Sequence, residues 1–137
     1  MAILQANLLS MSLEEKIAQS ETHAFKTVFP DSTNHHNTMF GGKILLLMTE
    51  TAFMTATRFA RKSFVIKSCD QVTFIRPIPA ASLIEVIGHV EQVGNTSLRI
   101  RVGIFLEKML EAGREKVVTG LFTLVAINEH HKPVKII

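Results

Sequence analysis

Between residues 33 and 43 the chain reads Thr-Asn-His-His-Asn-Thr-Met-Phe-Gly-Gly-Lys, a polar run that ends on two adjacent glycines. Such a loop gathers Asn34 and His35 in one short stretch and delivers Gly41 and Gly42 to the mouth of the helix that follows. Glycine lets a ligand approach the backbone closely, and the first free N–H groups of a helix stabilise a developing negative charge. The plainer reading is a turn with an ordinary N-cap. A phosphate loop is excluded, because Asn37 stands where its first glycine is needed and Ile44 replaces the magnesium-binding Ser or Thr. His35 and His36 are acid–base types, but their place in the motif makes them loop-shaping or interface residues; His23, His89, His130 and His131 show no constellation in the sequence. Cys69 is the single cysteine and reads as a small buried hydrophobe rather than a nucleophile. It cannot form an internal disulfide, which fits a reducing compartment, so the cytoplasm is expected. No zinc-ligand spacing occurs, and no metal is expected.

The elements that must position this loop follow from the rest of the chain. With 137 residues, 47% apolar and 20% charged, it is long enough to bury roughly 70% of its unfolded surface without a disulfide or metal. Nine Phe with no Trp or Tyr, and few charges to cover the surface, point to apolar area hidden in an oligomer. The net charge is +3, and the basic residues are scattered, so nucleic acid is not an expected partner. The longest apolar run, Ile44 to Met48, is far too short to span a bilayer, and no leader pattern precedes it.

Residues 1–20 read as an N-terminal extension, with a short helix over 13–20 behind the capping box Ser12-Leu13-Glu14-Glu15. Residues 21–137 read as one domain. The order is a strand at 22–29, a helix from Gly42 to about Arg61, then strands at 64–75, 83–92, 97–109 and 116–127. The two short separators before the last strands predict an antiparallel meander. The helix is apolar nearly all round in its first half, with Arg58, Arg61 and Lys62 complementing its dipole at the far end. A long antiparallel sheet must curl around it, and a second copy of the chain must complete the enclosure. That α+β pattern is the hotdog fold.

The run TNHHNTMFGGK resembles the loop of the acyl-CoA thioesterases of the hotdog superfamily, in the medium- and long-chain acyl-CoA hydrolase group. Three later pieces are similar to that family as well: Asp70 to Ile78 (DQVTFIRPI), the turn Gly94-Asn95-Thr96-Ser97, and FTLVAIN at 122–128. The resemblance implies hydrolysis of a fatty acyl-CoA by activated water, with coenzyme A as part of the substrate and no separate cofactor. It implies an intracellular enzyme of fatty acid metabolism, acting as a homodimer or as a tetramer or hexamer built from dimers. Asn34 corresponds to the loop amide, which orients water or the carbonyl and cannot act as a base, and Gly42 opens the oxyanion site.

The family's helix acid stands at the position of Thr49, and Glu50 follows it. One residue turns a side chain about 100° around a helix. Either a shift at the helix start brings Glu50 onto that position, or the base is missing and the protein binds acyl-CoA without cleaving it. A threonine common in active relatives corresponds to Ile66. Candidate substrate contacts are His35 and Gly41 in the loop and Asn95, Thr96 and Ser97 in the turn. Arg61, Lys62 and Arg76 are the candidate phosphate partners. Asp70 is assigned to a strand that pairs with its counterpart in the dimer.

Overall fold

Five strands, one before the loop and four after it, build one antiparallel sheet, seen in a computed structural model that describes residues 11–137. The first half of the expected N-terminal extension, 1–10, lies outside the described residues. Helix α1, Leu13–Ser20, starts at Ser12, whose hydroxyl accepts from the Glu15 N–H as the capping box requires. Strand β1, Thr22–Val28, precedes a single 3-10 turn at Pro30–Ser32 and the loop. Helix α2 is Gly41–Ala60, and β2 (Ser63–Phe74), β3 (Ser82–Val93), β4 (Ser97–Lys108) and β5 (Glu115–Ile127) follow. Each expected strand and helix is present within two residues of its expected ends.

The sheet order is β1-β3-β4-β5-β2, with every pairing antiparallel, so β3, β4 and β5 form the expected meander. Its edges are the short β1 and the long β2. Even-numbered residues of β3 and β4, among them Ile84, Val86, Val90, Ile100, Val102 and Ile104, are buried on the face that α2 covers. From α2, Ile44, Met48, Ala52, Ala56 and Phe59 pack onto them. This spacing is a helical stripe of about 100° per residue. The helix is therefore not wrapped all round within one chain. Its opposite face exposes Leu46 at 56%, Phe53 at 45% and Met54 at 41%.

The closest approach of helix to sheet is at Gly88 of β3. A Cβ there would lie 2.2 Å from Thr55 Oγ1 and 3.1 Å from Thr51 Cγ2. Both threonines sit buried because their hydroxyls donate back to the helix, Thr51 to the Leu47 carbonyl and Thr55 to the Thr51 carbonyl. No described helix is long and apolar enough to cross a membrane.

Candidate active site

The loop before α2 is held by its own asparagine. Asn34 Oδ1 accepts from the His36 N–H at 2.9 Å, the Thr38 N–H at 3.3 Å and the Thr38 hydroxyl at 3.2 Å. Because two of those partners are backbone N–H donors, the amide oxygen must face them. That leaves Nδ2, which no hydrogen bond engages among the described residues, as the group available to a ligand. Asn37 adopts φ 60°, and its carbonyl accepts from Ala80 N, while Met39 N donates to the Ile78 carbonyl. These bonds fasten the loop to the start of β3 and fix where α2 begins.

At the helix start, Phe40 supplies no side-chain cap. Its carbonyl accepts from the N–H groups of Lys43 and Ile44, so among the described residues those of Gly41 and Gly42 have no acceptor. A Cβ on Gly41 would meet nothing within 4 Å, whereas one on Gly42 would strike the Phe40 ring at 2.8 Å. The Phe40 ring is exposed and can swing aside, so packing within this chain crowds position 42 only lightly and leaves open space above 41. Two free N–H donors at a helix N-terminus can stabilise an oxyanion.

Glu50 is exposed, and Thr49 beside it is half-buried. Glu50 lies on the free face of α2 between Leu46, Phe53 and Met54, and no ion pair engages it among the described residues. Eight residues of helix place it about 12 Å along the axis from Gly42. Ile66 is 39% exposed on β2.

The remaining candidates divide between the two ends of the molecule. Arg76 follows β2 at the glycine end and pairs with Glu115 at 3.5 Å. His35 is exposed there, its ring 3.9 Å from that of His36. Asn95, Thr96 and Ser97 lie at the other end, where the Thr96 carbonyl accepts from Ala126 N and the Asn95 carbonyl from Ile136 N. Arg61 and Lys62 sit there too, at the far end of α2, about 28 Å from Gly42 along the axis. Lys62 Nζ donates to the Lys135 carbonyl, and Arg61 ends the helix at φ 49°. One chain does not bring the two groups together.

Two expectations are corrected. Cys69 is exposed on the edge strand β2 rather than buried, although partial desolvation and the charge of Asp70 raise its pKa and keep it a thiol. His23 does have a constellation. Its Nε2 lies 2.8 Å from Glu21 Oε2 and its Nδ1 2.7 Å from Glu85 Oε2, while Arg114 holds the other oxygen of Glu85. His89 Nδ1 adds a contact to Glu21 at 3.4 Å. Glu21-x-His23 was legible as a same-face pair, but Glu85 reaches it only through pairing of β1 with β3. Glu21 and then Glu85 raise the His23 pKa. Burial alone would raise that of Glu85, and its bonds to His23 and Arg114 hold it below the usual range. Among the described residues no three His, Cys, Asp or Glu side chains are grouped to hold a metal ion.

Comparison with known proteins adds independent findings. A Bacillus subtilis protein named as an uncharacterized acyl-CoA thioester hydrolase, YkhA, is 35% identical over 118 residues, covering 85% of this chain and 69% of that protein. The Staphylococcus aureus acyl-CoA hydrolase, solved with butyryl coenzyme A and coenzyme A, superposes with a TM-score of 0.84 at 29% identity, over 88% of this chain and 73% of that one. A hexameric acyl-CoA thioesterase gives 0.85 at 32% identity, over 88% and 77%. Structures also exist for variants of the Staphylococcus enzyme in which an asparagine, an aspartate and a threonine are replaced in turn by alanine. The same spacings counted from Asn34 fall on Thr49 and Ile66. The family profile described as thioesterase superfamily matches residues 36–112, from the loop through the meander. With more than half its length matched in this way, and with the hotdog sheet and helix in place, the chain belongs to the thioesterase superfamily.

Proposed function

We propose that this protein hydrolyses acyl-CoA thioesters to a free acid and coenzyme A, at a site completed by a second copy of the chain. The carrying observation is the free N–H pair of Gly41 and Gly42 beside Asn34, with open space above Gly41. The N–H pair binds the thioester oxygen as it becomes negative, and Nδ2 of Asn34 donates to the carbonyl or to the attacking water. Glu50 serves as general base. It lies about 12 Å along the axis from Gly42 of its own chain, too far to share one carbonyl with it, so the base comes from the partner.

The edge strand β2 supports that arrangement. It is twelve residues long and exposes Val65, Ile66, Phe74 and, just after it, Ile75. A long apolar edge pairs with another strand. Antiparallel pairing of two β2 strands inverts the partner, and its α2 end and β3–β4 turn then come beside the glycine end of the first chain. Arg61, Lys62, Asn95, Thr96 and Ser97 of one protomer then meet His35, Gly41 and Arg76 of the other. Association of such dimers into a tetramer or hexamer fits the hexameric relative. Coenzyme A enters as substrate and no further cofactor is required; a single cysteine fits the cytoplasm. Residues 21–137 are the catalytic domain and 1–20 an extension.

The test is thiol release from acyl-CoAs of increasing chain length. Turnover is expected, falling about 100-fold or more in Glu50→Gln and little in Thr49→Ala. Absence of release across the whole range overturns the reading. Tight acyl-CoA binding without turnover would instead establish a non-catalytic binder, the reading favoured by Thr49 and Ile66 at the counted positions.

A further inference from the structure

The loop that carries Asn34 is fastened to the rest of the fold at one residue. Thr38 lies opposite Pro79 of the β2–β3 connection. On either side of that pair the Met39 N–H donates to the Ile78 carbonyl at 2.6 Å, and the Ala80 N–H donates to the Asn37 carbonyl at 3.2 Å. Proline has no N–H to offer, and it occupies the position of the bridge that needs none. Ile78 is fully buried and Met39 nearly so, which ties this end of the loop to the core. His35, His36 and Asn37 project from that anchor and are exposed, with Asn37 at φ 60°. We infer that Thr38 is a positioning residue for Asn34, setting which face of the Asn34 amide a ligand meets.

Thr38 reaches across the base of the projection to Asn34 three times. Its carbonyl accepts from the Asn34 N–H at 2.7 Å. Its own N–H and its hydroxyl both donate to Asn34 Oδ1, at 3.3 Å and 3.2 Å. A carboxamide has two orientations of nearly the same shape, related by exchange of oxygen and nitrogen. Donors gathered on Oδ1 select one of them and leave Nδ2 turned outward. The N–H groups of His36 and Thr38 belong to the backbone, and any residue except proline supplies them. The Thr38 hydroxyl alone among the three donors depends on the side chain. One neutral hydrogen bond of this kind changes a population about fivefold. Thr38 acts through Asn34, so it alters how often Nδ2 is aimed at the reacting carbonyl or water. What Asn34 does there rests on the hydrolase reading above; how Asn34 is held does not.

The experiment compares Thr38→Val, which keeps the shape and deletes the hydroxyl, with Thr38→Ser, which keeps the hydroxyl. Thiol release from butyryl-CoA is expected to show kcat reduced about fivefold in the valine variant with KM within twofold of the native value, and kcat recovered in the serine variant. The second readout is the side-chain amide signal of Asn34 in 15N-asparagine-labelled protein, assigned by its loss in Asn34→Ala. It is expected to be dispersed and rigid in the native and serine chains and averaged by motion in the valine chain. Equal kcat and equal amide signals in all three chains overturn the proposal. Failure of serine to recover what valine loses overturns it too, as does a raised KM at unchanged kcat, which would make the hydroxyl a substrate contact. If the valine chain does not fold, Thr38→Ala takes its place in both measurements. A native chain that releases no thiol sinks the hydrolase reading alone, and the amide signal then decides whether Thr38 holds Asn34.

Discussion

His23 carries a pH dependence that its neighbours impose. Both of its ring nitrogens face carboxylate oxygens, an arrangement in which two N–H donors are satisfied only when the ring is protonated. Its pKa is raised above 6.5, so its contribution to stability is complete below that value and fades as pH rises through the folded value. Glu85 is lowered below 4.5, so its contribution is complete above that value and fades as pH falls through its folded one. Both are complete between pH 4.5 and 6.5. The Tm difference between the native chain and His23→Gln is therefore expected to be largest in that window and to narrow on the alkaline side. Calorimetric scans at several pH values check this, and a difference independent of pH would mean the ring acts only by packing. At the same scale Asn34 and the two glycines were legible as a motif. The unused N–H groups were not, because they depend on which carbonyls the folded loop turns toward them.

Elements meet most tightly where α2 crosses β3. Gly88 is required there by the Thr55 hydroxyl and the Thr51 backbone, and a helix backbone yields less readily than the end of a flexible side chain. Gly88→Ala is expected to destabilise the chain by about 1–3 kcal/mol, read from denaturant unfolding. Adding Thr55→Ala removes the nearest atom and should recover part of that loss, giving a measurable coupling between the two positions. Equal and additive losses would show that the helix had moved away instead. Element types and ends were readable because alternation and helical spacing are local. The one-sided burial of α2 was not, since Leu46 and Met48 are equally apolar and only the sheet's position separates them.

Across the whole molecule, Leu46, Phe53 and Met54 share a face with Glu50, next to the exposed edge β2. Apolar area of this kind, rimmed by polar groups, marks an association surface. Phe53→Asp places a charge in it and is expected to yield a folded monomer by light scattering, with thiol release lost because base and N–H pair no longer meet. A monomer that still turns over acyl-CoA would place both groups in one chain and refute the shared site.

Periodicity, turn chemistry and one loop motif determined the element order, the antiparallel meander and the family resemblance, because each rests on residues close together along the chain. Tertiary structure decided the rest. It divided the candidate residues between two ends of α2 and turned Glu50 outward while Met48 faces the sheet. It also joined His23 to Glu85 across 62 positions of sequence. Those outcomes depend on strand pairing and helix placement, which bring distant residues together through packing energies that no short stretch of sequence contains.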